Sequence, residues 1–293
     1  MVTYEQRKAR WGFVYVLPWL IGFILFFLIP LVNSLVYSFS KVETNAEGIF
    51  VDFIGWENYR TALFVNPNFN RNLVNSIIDM LVNVPLIVIF SLFVAVLLNQ
   101  NFKGRGLARA IFFLPVILAS GVIANLESSS LIEALNTDNA AGRFIAGLRS
   151  FELERMMLEA GVNEDFVLYL TGAVDRIYEI VSQSGVQILI FLAGIQTIST
   201  HLYEAAKIEG ATGYEAFWKI TFPMVSPLIL VNVVYTVVDS FASNSTVELI
   251  RNTGLTNFNF GLSSAMAWIY FLSVAFILAV SSYIISKRVF YHE

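Results

Sequence analysis

Apolar residues in this 293-residue chain gather into long blocks instead of alternating with polar ones as in a soluble amphipathic element. Six windows are apolar for about 20 residues or more, the length that crosses the hydrocarbon core of a bilayer. They are about 12–38, 73–98, 107–126, 182–201, 224–242 and 263–286. The pattern predicts an all-α membrane protein with six transmembrane helices, since a helix pairs its own backbone in lipid. Residues 1–10 read as a short N-terminal extension and 11–293 as one transmembrane domain. Arg7, Lys8 and Arg10 precede the first block like the head of an export signal. The run from Trp11 to Phe39 is far longer than such a signal uses, so it reads as a retained span.

The connections differ in charge. The short loop Asn101–Gly106 carries Lys103 and Arg105 with no acid, and Arg109 follows, whereas residues 128–181 hold nine acidic residues against four basic ones. Lys207, Lys219, Lys287 and Arg288 fall on the same side as Lys103 if the N-terminus is cytoplasmic. This is the positive-inside asymmetry. With six spans it puts both termini and the segment 202–223 in the cytoplasm, and residues 128–181 outside. Within that excursion Ser128–Asn136 is too polar and Phe166–Val174 too short to cross, so amphipathic helices near the interface are expected, with a re-entrant or extra span through 166–180 as the alternative.

Composition agrees with the blocks. Hydrophobic residues make up 57% of the chain, mean hydropathy is +0.68 and only 14% of residues are charged, where soluble domains carry roughly a quarter. The absence of cysteine excludes disulfides and thiolate chemistry, and His201 and His292 are too far apart to mark a metal site. A net charge of −4 with no basic tract speaks against nucleic acid, and the chain has no Gly-rich phosphate loop of the Walker type.

Polar residues interrupt the blocks at helical spacing. Asn75, Asp79 and Asn83 recur every four residues, Asn232, Tyr235, Thr236 and Asp239 form a second stripe, and Gln187 and Gln196 add amides between them. Such groups line a polar cavity whose amides, hydroxyls and carboxylates pair with a solute, with Tyr235 and Trp268 stacking on an apolar sugar face. Equally, they bond helix to helix. The candidate solute pathway is therefore Asn75, Asp79, Gln187, Gln196, Asn232, Tyr235, Asp239 and Trp268. Proline at 85, 115 and 227 reads as helix kinks.

The segment between the fourth and fifth blocks is the most specific text. Glu204-Ala205-Ala206 is followed by Gly210, then by Ile220 and Phe222-Pro223. Gly210 and Gly213 allow a tight reversal between two short helices, with alanines that admit another protein close to the backbone. The pattern resembles the signature loop of permeases from binding-protein-dependent ATP-driven importers, with Phe222 in place of the usual leucine. The longer run Leu202–Ala211 is similar to the sugar-importer subgroup of the maltose and glycerol-phosphate permeases. Trp56-Glu57-Asn58-Tyr59, Asn72–Ser76, Asn99–Arg109 and Arg109–Pro115 extend the likeness over most of the chain, while Leu126–Arg149 departs from it.

The resemblance implies the type I ABC importer permease fold, in the plasma membrane of a prokaryote, with a cytoplasmic coupling helix. Glu204, Ala205, Ala206, Gly210, Ile220 and Pro223 would seat in a cleft of a separate ATPase subunit. It also implies a second homologous permease, two cytoplasmic ATPase subunits and an extracellular solute-binding protein. No catalytic residue, cofactor or metal is expected on this chain, since ATP and Mg²⁺ belong to the ATPase. The expected cargo is a mono- or oligosaccharide. With Arg71 and Arg109 only at span ends, a neutral one is favoured over a polyol phosphate. Two other classes fit less well. An intramembrane enzyme needs paired carboxylates or a Ser/His dyad, and an ion-coupled transporter needs an inverted repeat; neither is legible.

Overall fold

The helices follow the apolar blocks, but proline and serine decide where they stay straight. The computed structural model describes residues 4–45, 48–100, 102–119, 157–158, 161, 163–242, 244–287 and 289. The departure region Leu126–Arg149 and most of the 128–181 excursion lie outside them. In chain order the elements are α1 (Tyr4–Phe23), α2 (Ile29–Ser38), β1 (Ser40–Asn45), β2 (Gly48–Phe53), α3 (Glu57–Arg60), α4 (Pro67–Asn99) and α5 (Arg105–Ala119). They continue with α6 (Glu164–Gln183), α7 (Gly185–Thr197), α8 (Thr200–Ile208), α9 (Gly213–Ala216), α10 (Phe222–Ala242), α11 (Ser245–Arg251) and α12 (Phe260–Ser286).

Two joins between helices are single wide turns, Ile24–Leu28 and Phe217–Thr221, and each sits just ahead of a proline. Pro30 and Pro223 lack an N–H, and their rings press on the carbonyls four residues back, at Phe26 and Lys219. Widening the turn to π geometry relieves that contact without ending the helix. Trp11–Ser38 and Gly213–Ala242 therefore each run through as one long apolar helix.

The count of six spans is not met. Among the described residues four helices are long and apolar enough to cross a membrane: Trp11–Ser38, Pro67–Asn99, Gly213–Ala242 and Phe260–Ser286. A fifth is reached only if the pair Tyr169–Gln183 and Gly185–Thr197, bent by 51°, counts as one crossing. The third window is described only as far as Ala119, where α5 has 15 residues, about 22 Å at 1.5 Å per residue against a core of about 30 Å, so it is not among the crossings of the described residues; residues 120–126 lie outside them. The fourth window breaks at Ser184, whose hydroxyl turns back on the Ile180 carbonyl while its N–H bonds Val181 at 3.3 Å. Side-chain bonding of this kind competes with the helical ladder, leaving α7 only 13 residues long. Hydropathy counts apolar residues, but it is blind to where the backbone bends. The even count that placed both termini on one side falls with it, and so does the assignment of Lys103 and Lys207 to one face and of residues 128–181 to the other, which used the same count.

The described chain forms two compact units, Met1–Asp79 with Asp239–Leu278, and Met80–Val238 with Ala279–Glu293. In the first, Trp11–Ser38 buries none of its apolar window inside the chain, as a helix facing lipid or another subunit would. It leads into an element the apolar pattern did not predict, the antiparallel hairpin of β1 and β2, in register from Ser40 opposite Phe53 to Asn45 opposite Gly48. Asn58 fastens this junction: its buried amide donates to the carbonyls of Ser38 at 3.1 Å and Ser40 at 2.9 Å. The Ser38 and Tyr59 hydroxyls bond at 2.8 Å, and the rings of Phe39, Trp56 and Tyr59 pack at 5.0 to 5.1 Å. Trp56-Glu57-Asn58-Tyr59 thus acquires a physical role as a clasp. The start of α12 closes against it, where a Cβ on Gly261 would stand 2.3 Å from the Ser40 carbonyl. Deeper in this unit, Ser76 on α4 bonds Thr246 on α11 at 2.8 Å, and Tyr270 stacks on Phe241.

In the second unit α4 presents Met80, Val84, Ile87, Val88, Ser91, Val94, Ala95 and Leu98 as one buried stripe at helical spacing. Arg109 on α5 reaches back to the Leu98 carbonyl at 3.2 Å, satisfying an orphan acceptor at the C-terminal end of α4. α5 packs against α6 and α7, and α7 crosses α10 closely at Gly194, whose missing side chain leaves room for Leu228.

Replacing Gly261 by alanine drives a methyl into a backbone carbonyl and the Asn58 amide, at an expected cost of about 1–3 kcal/mol. Thermal unfolding of the detergent-purified protein should fall by several degrees for Gly261→Ala. Gly22→Ala, which meets nothing within 4 Å, serves as the comparison and should not lower it.

Candidate functional site

The segment from Thr200 to Thr221 folds as two short helices around a turn locked at both ends. α8 stops where Gly210 takes φ +78°, a left-handed conformation that costs an L-residue about 1–2 kcal/mol. The Gly210 N–H donates to the Lys207 carbonyl at 3.1 Å and the Ala211 N–H to that of Ala206 at 2.9 Å, the paired bonds of a Schellman ending. One residue on, Thr212 opens α9 with a capping box. The Glu215 N–H donates to the Thr212 hydroxyl at 3.3 Å, while the Thr212 N–H donates to the Glu215 carboxylate at 2.9 Å. The reversal is therefore hydrogen-bonded on both sides of its glycine. The arms are tied again where Tyr203 and Thr221 share a hydroxyl bond of 2.9 Å, and Tyr214, Phe217, Trp218 and Phe222 pack edge to face or tilted around the second arm.

This architecture sorts the signature residues. Glu204, Ala205 and Gly210 are exposed, Ala206, Ile220 and Pro223 half-buried. Ile208 and Tyr214 stand 88% and 73% exposed beside them, so the knob shows a surface of apolar and small residues with Glu204 at its edge, bonded to His201 at 3.3 Å. An exposed apolar patch on a rigid turn is a protein-docking surface in form.

Comparison with known proteins agrees. Residues 176–292, which contain the knob, match the family of binding-protein-dependent transport system inner membrane components. The arabinooligosaccharides transport system permease protein AraP of Halalkalibacterium halodurans is 30% identical over 82% of this chain and 71% of its own length. The chain belongs to this family of ABC importer permeases. The sn-glycerol-3-phosphate transport system permease protein UgpA of Agrobacterium fabrum is 27% identical over 95% of this chain and 96% of its own. The fold is shared with a chain of the crystal structure of a bacterial ABC transporter involved in the import of the acidic polysaccharide alginate, at TM-score 0.65, 18% identity and 97% coverage of either chain. The protein is thus a transport component and not the hydrolytic subunit.

The pathway candidates of the permease do not form one group. In the second unit Gln187 on α7 and Asn232 on α10 are fully buried and joined through Thr236. The Gln187 amide donates to the Thr236 hydroxyl at 3.0 Å, Thr236 donates to the Asn232 carbonyl at 2.7 Å, and the Asn232 amide donates to the Leu228 carbonyl at 3.1 Å. The side-chain oxygens of Gln187 and Asn232 are left buried without a protein donor among the described residues, which is costly unless a hydroxyl or water supplies one. Tyr235 lies at the exposed edge of the same stripe, and Gln196 is exposed further along α7. In the first unit Asn75, Asp79 and Asp239 are exposed, and Trp268 is half-buried edge-on to Phe271 at 5.7 Å.

Sequence reasoning overlooked two features here. The capping box was legible as Thr212-Gly213-Tyr214-Glu215, the threonine-x-x-glutamate signature of a helix start. Arg176 was set aside with the external excursion, yet its guanidinium donates to the Asn83 side-chain oxygen at 3.1 Å.

Gly210→Val forces a β-branched residue into the left-handed region. Amide hydrogen exchange across residues 205–212 should quicken about tenfold, the equivalent of a local loss of roughly 1–2 kcal/mol.

Proposed function

We propose that this permease forms one half of the translocation pathway of an ATP-driven importer for a mono- or oligosaccharide, coupled to a separate ATPase through residues 202–223. The observation that carries the reading is the doubly locked reversal at Gly210, which makes α8 and α9 a rigid lever with an exposed face. Ala205 and Ala206 let an ATPase cleft close on the backbone, Glu204 offers a carboxylate to an arginine of that subunit, and Ile220 and Pro223 pass the motion into α10. Closure of the ATPases on ATP would then shift the pathway between inward-facing and outward-facing states, since the lever is too stiff to absorb it.

In this reading the knob faces the cytoplasm of a prokaryotic cell, which the basic residues Lys103, Arg105, Lys207 and Lys219 around it support. The remaining subunits in this reading are a second homologous permease, two ATPases holding ATP and Mg²⁺, and an external binding protein that delivers the solute. Four or five crossings among the described residues, and a first helix that buries none of its apolar window inside the chain, support a paired pathway. Asn75, Asp79, Gln187, Gln196, Asn232, Tyr235, Asp239 and Trp268 are the residues assigned to it. Gln187 and Asn232 are the strongest, because their unpartnered oxygens accept what sugar hydroxyls donate.

A polyol phosphate is the second reading, favoured by the glycerol-phosphate relative. Neutrality of the cargo rests on there being no cation within the spans, and Arg176 beside Asn83 alters that premise.

Ala205→Trp places an indole on the exposed face of α8 without touching its core. Co-purified with its partner permease and ATPase, the variant should assemble poorly or lose most saccharide-stimulated ATP hydrolysis, while its own thermal unfolding stays near that of the wild type. Full stimulation in the variant would remove the coupling role from this face.

A further inference from the structure

Arg176 occupies an unusual position for a cation. It lies on α6 and donates to Asn83, the middle residue of the 33-residue α4, at 3.1 Å. Eight residues further along both helices, the Ser91 hydroxyl meets the Ser184 carbonyl at 3.4 Å. Equal spacing on the two segments, in the same chain direction, means that α6 runs alongside α4 in the same direction. Arg176 is therefore level with Asn83, inside the apolar run of α4 that extends from about Ile77 to Leu98.

A charged side chain at that level is expensive, and such groups mark solute or ion pathways with a partner that offsets the charge. The partner found is not enough. Asn83 is a neutral amide, buried on its own helix; it takes one of the five guanidinium N–H donors and brings no opposite charge of its own. No ion pair to Arg176 occurs among the described residues, its side chain is exposed, and Asn83 is the one hydrogen-bond partner of its guanidinium among them. What Asn83 does supply is orientation: it holds one arm of a planar fork whose free edge suits the two oxygens of a carboxylate or phosphate.

We propose that Arg176, positioned by Asn83, is a specificity residue that receives the oxyanion of an acidic polyhydroxylated solute, so that the cargo is an anionic sugar and not a neutral one. This rests on the importer reading above and narrows its substrate class. The alternative role, in which the guanidinium only fastens α6 to α4, predicts the same loss for every solute. The oxyanion role predicts a loss confined to charged ones.

The test is ATP-driven uptake by the complete complex, reconstituted in proteoliposomes with its partner permease, ATPase and binding protein. The probes are trigalacturonate, sn-glycerol 3-phosphate and the neutral galactotriose. Uptake of an anionic probe by the wild type, falling about 10- to 100-fold in Arg176→Gln as a charge-assisted bond is lost but less than tenfold in Arg176→Lys, supports the proposal. The first two probes distinguish a carboxylate from a phosphate. Where Arg176→Gln does not assemble, Arg176→Lys and Asn83→Ala decide by the ratio of anionic to neutral uptake, which should fall in both. Uptake of galactotriose alone, or anionic uptake indifferent to Arg176, overturns the proposal and leaves the importer reading standing. A complex that assembles and hydrolyses ATP yet takes up none of the three overturns the saccharide reading and this inference together.

Discussion

Backbone amides inside a bilayer have no water to bond, so each must find its partner within its own segment. Most features of this permease follow from that. Long apolar helices are the form it takes where the chain crosses, and the widened turns ahead of Pro30 and Pro223 show how it is kept where a proline removes a donor. The ends obey it too: Arg109 turns back on the last carbonyls of α4, and Asn244 caps α11 by accepting from the N–H groups of Thr246 at 3.0 Å and Val247 at 3.1 Å. The reversal at Gly210 satisfies the same requirement by a Schellman ending followed at once by a capping box. It is this double closure that makes the knob stiff, and stiffness is what a coupling element needs.

Polar side chains are held to the same standard, and they divide by how well they meet it. Asn58 uses both amide hydrogens on the carbonyls of Ser38 and Ser40 and serves as a structural clasp. Ser76 with Thr246, and Tyr203 with Thr221, are closed pairs of the same kind. Gln187 and Asn232 have a donor bond each but an acceptor left over, and Arg176 has donors left over. The residues with surplus capacity are the strongest candidates for meeting a solute, because a group already satisfied by protein gains little from a ligand. Surplus acceptors suit sugar hydroxyls, and surplus charged donors suit an oxyanion.

Much of the architecture was legible in the apolar blocks: the helices at 11–38, 67–99, 213–242 and 260–286 lie where the windows predicted them. The fourth block was misjudged for a local reason. Ser184 looked like one polar residue near the edge of an apolar run, whereas its hydroxyl competes for the Ile180 carbonyl and a 51° bend results. The β1–β2 hairpin escaped because Ser40–Phe53 has no feature that outweighs its short length; it is fastened by Asn58, from outside the hairpin.

Sequence by itself determined the membrane class, four of the crossings and the importer-permease family. Each of these depends on local composition or on a contiguous motif, with the chemistry carried by neighbours in the chain. Tertiary structure decided the bend at Ser184, the pairing of Gln187 with Thr236 across 49 positions, and the placement of Arg176 beside Asn83 across 93. A side chain's partner, and hence whether its hydrogen bonds are spent or free, is set by which helices pack together, and residues far apart in sequence meet only when the chain has folded.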